Sequence, residues 1–166
     1  ISFEARKSEY VDRKSGVSAR MSITAYENLL STAERRMLKT GDTTTTIRLS
    51  DFMGVLPAIT GKIELVYEGE QEGADNVAQI LVEEAVKTVF STHFPEIRKL
   101  ERKDEETPYD ALIAWFFESE GIDLMDDLMD SEYRSVLTEI GPLRALVGKH
   151  LPELEERDLP FAHEMV

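Results

Sequence analysis

The sequence predicts an all-α fold made of two small helical subdomains. Apolar residues recur at the 3.6-residue spacing of helices along most of the chain. Proline and glycine divide this pattern into segments of ordinary helix length. No stretch alternates convincingly between apolar and polar residues, apart from a few positions around 47–49. Helix packed on helix is therefore the expected architecture.

Composition excludes several classes of partner and chemistry. The 166 residues include 33 acidic and 19 basic side chains, for a formal net charge of −14. A surface this acidic repels phosphate backbones and anionic lipid heads, so we expect no nucleic-acid or membrane partner. The absence of cysteine excludes disulfides, thiolate metal sites and cysteine nucleophiles. No apolar run approaches the roughly 20 residues that cross a bilayer, and we expect a soluble cytoplasmic protein.

Two helices are predicted in the first part of the chain. Residues 1–13 look like the end of a helix already under way, so we expect the chain to be the C-terminal piece of a longer protein. Ser18 is a good N-cap residue for the second helix, which Gly41 ends, and a polar loop follows at 43–46. The predicted buried face of the second helix consists of Ile23, Tyr26, Leu30, Ala33 and Met37.

The middle of the chain predicts two further helical regions. Residues 52–65 follow a Ser50-Asp51 cap. Pro57 leaves two alternatives, a kink in one helix or a short turn before a second helix that starts at the proline. Residues 68–73 are predicted to form an acidic loop, and residues 74–92 a long helix.

A charged linker is predicted at 96–106, between a first domain at 1–95 and a C-terminal helical subdomain at 107–166. In the second domain, Ala111 to Phe117 is continuously apolar, which predicts a helix buried on most sides. Further short helices are predicted over 131–140, 142–150 and 153–165.

No complete active site is recognisable from motifs. Gly61-Lys62 and Gly148-Lys149 both lack the remaining residues of a P-loop, and the scattered glycines exclude a Rossmann motif. No Gly-x-Ser-x-Gly elbow is present. The three histidines lie far apart and outside any metal-binding frame, so we expect exposed side chains at helix ends for His93, His150 and His163. The sequence thus predicts no catalytic residue and no metal site in this chain.

The acidic stretch at 123–132 raises calcium as an alternative. An EF-hand needs oxygen ligands at alternate positions and a glycine at its sixth position. Leucine and methionine occupy those places here. The repeated Asp-Leu-Met-Asp is instead predicted to be a solvated helix with an apolar pair per turn, with Asp130 and Ser131 as caps.

Arg20 is the one local feature that indicates ligand binding. It falls within the first turn of the helix that begins near Ser18. The N-terminus of a helix offers free N–H groups and the positive end of the helix dipole, and a guanidinium adds a fork that binds phosphate. Arginine is unfavourable at that end of a helix, which is a mild functional hint. The alternative is an exposed arginine paired with Glu4 or Glu9.

Several segments resemble the lid of an AAA+ ATPase. They are Lys14-Ser-Gly-Val-Ser-Ala-Arg20, the helix from Met21 to Arg36 ending in Ala33-Glu-Arg-Arg36, Leu56-Pro-Ala-Ile-Thr-Gly-Lys62, and Glu64-Leu-Val-Tyr-Glu-Gly-Glu70. More narrowly, they are similar to the ATPase (I-type) subunit of magnesium chelatase and its bacterial relatives, which neighbour the MoxR group. The likeness covers about residues 1–90, and residues 97–166 resemble the C-terminal extension of the same group.

The resemblance implies a nucleotide-binding role for Arg20. In AAA+ proteins the lid carries a sensor-2 arginine at the start of a helix, which touches the γ-phosphate of bound ATP. Arg20 matches that position, Ser18 is the matching cap, and Ala19 stands where many relatives have proline. The Walker A and B elements, sensor 1 and the arginine finger belong to a core expected upstream of Ile1. ATP and Mg²⁺ are therefore implied for the parent protein, and neither cofactor nor hydrolysis is expected of this chain alone.

The resemblance implies three kinds of partner: the upstream core, further subunits of a homo-oligomeric ring, and an unidentified client protein that ATP hydrolysis remodels.

An alternative function is a non-enzymatic helical interaction module. Ala111–Phe117 and the pairs Leu124, Met125 and Leu128, Met129 could then form a partner groove, because methionine-rich surfaces adapt to varied ligands. Ordinary core is the interpretation that the sequence favours for these residues.

Overall fold

The computed structural model describes residues 1–14, 17–97 and 107–166. Helices account for 66% of the residues, and this described part of the chain contains no β-strand, so the predicted all-α class is confirmed. The α-helices of the described residues are α1 Ser2–Lys7, α2 Ala19–Thr40, α3 Leu56–Thr60, α4 Tyr67–Glu72, α5 Ala74–His93, α6 Asp110–Glu118, α7 Asp130–Glu139, α8 Gly141–His150 and α9 Leu159–Met165. A 3-10 helix, Leu49–Val55, precedes α3.

The chain divides into two compact units. Unit 1 comprises residues 1–36 and 47–89, and unit 2 comprises residues 37–46 and 90–166. Each unit has its own apolar core. The predicted linker at 96–106 lies outside the described residues except for Glu96 and Ile97, so the domain boundary there stays a prediction.

Unit 1 is built around the first part of α5, which begins and ends within a residue of its predicted bounds. The spacing of its apolar residues places four of them on one buried face. The core of unit 1 consists of Ala5, Val11, Met21, Ala25, Val55, Ala58, Ile59, Ile63, Val77, Ala78, Leu81 and Val82.

The helix predicted over 1–13 is wrong beyond Lys7. The chain leaves the helix there, and Val11 forms an isolated antiparallel bridge with Leu65. The Val66 amide donates to the Tyr10 carbonyl at 3.0 Å, and the Asp12 amide donates to the Glu64 carbonyl at 2.8 Å. Val11 is therefore buried in the core of unit 1 from this bridged segment and not from a helix.

Residues 68–73 were expected to form a loop, and most of them form α4 instead. Acidic side chains in its first turn, Glu68 and Glu70, suit the positive end of the helix dipole. Gly69 is buried directly against the backbone carbonyl of Tyr10, where a Cβ would collide. This close approach explains the glycine within the helix.

The buried face of helix α2 shares only Ala33 with the predicted one, and the predicted Met37 is half-buried. Ile23 and Tyr26 are each 62% exposed, and Leu30 is also exposed. The buried side chains of α2 are Met21, Ala25, Ala33 and Arg36. The small alanines allow close packing, so the stripe that carries them is covered although the other stripe has the larger apolar residues.

The structure decides between the two alternatives that Pro57 left open. The 3-10 helix Leu49–Val55 comes first, and α3 begins at Leu56 with the proline in its first turn. Proline suits this place because its missing N–H would have no intrahelical partner. The helix ends at Thr60, well short of the predicted Leu65.

Unit 2 packs α7, α8 and α9 together, and α6 lies against α8. The polar loop after α2 belongs to this unit. The Asp42 carboxylate accepts a hydrogen bond from the Asp130 amide at 3.0 Å at the start of α7, and the Thr40 hydroxyl donates to Asp42 at 2.6 Å. The core of unit 2 consists of Phe94, Tyr109, Leu112, Tyr133, Leu137, Ile140, Leu143, Leu146, Val147 and Ala162.

Three predictions for unit 2 are wrong in part. Residues 123–129 are not helical, and α7 begins only at Asp130. Residues 153–158 are not helical, and α9 begins only at Leu159. Helix α6 exists as predicted, but Leu112 is its only buried residue. The expected burial of Ala111–Phe117 on most sides is therefore wrong.

Candidate functional site

The candidate site lies at the N-terminus of α2, within unit 1. The Ser18 hydroxyl accepts a hydrogen bond from the Arg20 amide at 3.2 Å, and the Met21 amide donates to the Ser18 carbonyl at 2.9 Å. Ser18 therefore occupies the N-cap and satisfies one of the free amides of the first turn. This local chemistry fixes where α2 begins and places Arg20 as its second residue.

The Arg20 side chain is exposed. No carboxylate among the described residues lies within ion-pair distance of it, and Glu4, one of the two alternatives, pairs with Lys7 at 3.2 Å instead. The first turn of α2 contains no acidic residue. The guanidinium and the helix dipole thus present positive charge to solvent together, which suits a phosphate or carboxylate ligand.

An apolar stripe on α2 continues from this arginine. Ile23 lies one turn after Arg20, and Tyr26 and Leu30 follow at helical spacing. All three side chains are exposed. Arg20 therefore borders a surface that is able to bury apolar area against another protein segment.

Sequence reasoning missed a buried charge cluster in unit 1. Arg36, near the other end of α2, donates from Nε to Asp51 Oδ1 at 3.2 Å and from Nη2 to Asp51 Oδ2 at 2.7 Å. The Arg48 amide donates to the same carboxylate at 2.8 Å. All three residues are buried. The bidentate pair ties α2 to the 3-10 helix, so its role is structural.

A small pocket of about 180 Å³ lies among α7, α8, α9 and the turn before α9. Arg134, Arg144, Thr138 and Glu156 line it together with His163. Arg134 is already paired with Asp130 at 2.7 Å. Burial, and secondarily the charge of Arg144, lower the pKa of His163 below its ordinary value of 6.5, so its imidazole is neutral at pH 7.

The three histidines differ in exposure. His93 is exposed at the end of α5, as expected. His163 is only 7% exposed, and His150 is half-buried with its ring 5.8 Å from that of Phe94, so the expectation is wrong for these two. Among residues 1–14, 17–97 and 107–166, no group of three or more histidine or carboxylate side chains is arranged to hold a metal ion.

No helix in the described part of the chain combines the length and apolar character that crossing a membrane requires. Comparison with models of protein families, with curated proteins and with solved structures finds no match for this chain.

Proposed function

We propose that this chain is the lid and C-terminal extension of an AAA+ ATPase similar to the ATPase subunit of magnesium chelatase. The observation that carries the proposal is the exposed Arg20 guanidinium, unpaired among the described residues, in the first turn of α2. In this role Arg20 contacts the γ-phosphate of ATP, and Ser18 holds the start of the helix. The proposal includes Arg20 and Ser18 because the resemblance implies both roles and the geometry at the N-terminus of α2 supports them.

The exposed side of α2 supports the same function. A lid must pack against an ATPase core while its sensor arginine faces the nucleotide. Ile23, Tyr26 and Leu30 offer an uncovered apolar stripe that begins one turn from Arg20. In the proposed protein the stripe lies against the upstream core, so that closure of the lid brings the guanidinium to the phosphate.

In the proposed ATPase, the core and this chain have separate roles. Walker A, Walker B and the ligands of Mg²⁺ belong to the core, and this chain supplies the arginine and a moving helical domain. The parent acts as a cytoplasmic homo-oligomeric ring whose hydrolysis remodels a client. The chain by itself does not hydrolyse ATP, because an arginine without the phosphate cradle lacks the positioning that phosphoryl transfer requires.

The sequence encoded directly upstream of Ile1 tests the proposal. We expect a loop of the form Gly, four residues, Gly-Lys-Ser/Thr, followed by an acidic Walker B strand. A reading frame that has no such core would contradict the AAA+ proposal. The non-enzymatic interaction module would then be the better description, and Arg20 would be an ordinary surface arginine.

A further inference from the structure

Helix α6 in unit 2 leaves most of its apolar residues uncovered. Phe117 is 87% exposed, Phe116 47% and Ile113 41%. These positions are spaced i, i+3 and i+4, so they share one face of the helix. On the other side of the helix Leu112 is buried in the core of unit 2, and the half-buried Trp115 packs against that core. With two exposed phenylalanines, this short helix exposes much more apolar surface than a helix that faces only solvent usually does.

The segment after α6 adds adaptable apolar surface. Met125 and Met129 are exposed in the irregular stretch between α6 and α7. Methionine is unbranched and flexible, so surfaces that contain it adjust to the shape of a bound helix. We call residues 107–133 the acidic–apolar segment.

Charge in this segment has a single sign. Between Thr107 and Tyr133 the chain has no lysine, arginine or histidine. Eight acidic residues lie there, and all except Asp130 are exposed: Asp110, Glu118, Glu120, Asp123, Asp126, Asp127, Asp130 and Glu132. Within residues 107–133, the only charged side chains near the exposed phenylalanines and methionines in sequence are therefore carboxylates.

We propose that the acidic–apolar segment docks an amphipathic helix of a partner protein, whose apolar face is flanked by lysine or arginine. The apolar side chains supply the area to be buried, and the carboxylates select basic flanks and speed the encounter. A second copy of this chain is a poor occupant, because the same acidic surface would face itself on a protein of net charge −14. The proposal stands independently of Arg20.

The protein contains its own reporter for this surface. Trp115 is the only tryptophan in the sequence, and its ring packs edge-on against Phe116 with centroids 5.2 Å apart. Binding on the exposed face of α6 changes the surroundings of that indole. Tryptophan emission thus reports docking at α6.

The test is a titration of the full 166-residue chain with two tryptophan-free helical peptides. One has leucines at i, i+3, i+4 and i+7 with lysine flanks, and the other has glutamate in place of every lysine. We expect the lysine peptide to shift Trp115 emission saturably, with binding that weakens as salt rises, and the glutamate peptide to give no shift. Equal responses to both peptides, or none to either, would overturn the proposal.

A matched pair of variants locates the site. Phe117→Ser should raise the Kd of the lysine peptide at least about tenfold, because a central aromatic anchor dominates such interfaces. Phe3→Ser removes another exposed phenylalanine, in unit 1, and should leave the Kd unchanged. Both substitutions are at exposed positions, and circular dichroism checks that the fold is kept. An unchanged Kd for Phe117→Ser, or self-association of the chain through this face in light scattering, overturns the proposal.

Discussion

Arg20 and Arg36 belong to the same helix, α2, and their side chains lie in opposite environments. Arg36 is buried and makes two hydrogen bonds to the Asp51 carboxylate, at 3.2 and 2.7 Å. Arg20 is exposed in the first turn, and among the described residues no carboxylate is paired with it. A buried guanidinium has to be paired for the protein to fold, whereas an exposed one is free to serve a ligand. The comparison separates a structural arginine, Arg36, from one whose exposed side chain suits the nucleotide contact that we propose for it.

The largest effect is expected for Asp51→Asn. The substitution keeps the size of the side chain but leaves the Arg36 guanidinium buried without its counter-charge. We expect the free energy of unfolding to fall by about 3–5 kcal/mol, measured by urea denaturation.

The matched control for that loss is Glu84→Gln, which breaks the exposed ion pair between Glu84 and Lys87. Solvent screens such pairs, so less than about 1 kcal/mol should be lost. Equal losses for the two variants would contradict the structural role of Arg36.

A smaller, pH-dependent effect is expected at His163. Like Arg36 its side chain is buried, and burial lowers the pKa of its imidazole in the folded chain. In the unfolded chain the imidazole of His163 takes up a proton as the pH falls below 6.5. In the folded chain the same imidazole stays neutral to a lower pH. The unfolded state then binds more protons, so stability is full above pH 6.5 and declines as the pH falls towards the lowered folded pKa.

Thermal melts at about pH 7.5 and pH 5.5 measure this decline. The His163→Gln variant should lose less Tm on acidification than the unaltered chain. The His93→Gln variant removes an exposed histidine and should behave like the unaltered chain. A loss of Tm on acidification that is identical in all three proteins would show that His163 does not carry the effect.

The smallest effect on stability is expected at Arg20. Arg20→Ala should change the free energy of unfolding by less than about 0.5 kcal/mol, because the side chain is exposed. Arg20→Glu should stabilise the chain by about 0.3–1 kcal/mol, since a carboxylate suits the positive end of α2. Urea denaturation measures both. A loss above about 1 kcal/mol for Arg20→Ala would give Arg20 a structural role after all.

Features that depend on neighbouring residues in the chain are the ones that the sequence predicts correctly. The position of α5, the Ser18 cap and the place of Arg20 depend on residues close together in the chain, and the structure has them where they were expected. The ion pair of Arg36 with Asp51 depends on two segments meeting in space, and no spacing rule signals it. The same limit applies to α4, for which the sequence predicts a loop: its Gly69 is explained by contact with the backbone of Tyr10, which is distant in the chain.

Burial was the least predictable property. Helix α2 has two apolar stripes, and periodicity alone does not show which of them is covered. The continuous apolar run of α6 has no polar face, so the pattern predicts burial, yet only Leu112 is buried and Trp115 half-buried. In both helices the uncovered apolar face is the one for which we propose a partner.

The most direct test of the proposed function is the steady-state ATPase rate of the proposed full-length ATPase that carries Arg20→Ala. We expect kcat to fall on the order of 100-fold, the usual cost of losing one preorganised charged contact to the transition state. The Arg35→Ala variant removes an exposed arginine from the same helix and should keep the parental rate. Melting of both variants should match that of the unaltered protein. An unchanged kcat for Arg20→Ala would contradict the account, because Arg20 would then contribute nothing to hydrolysis.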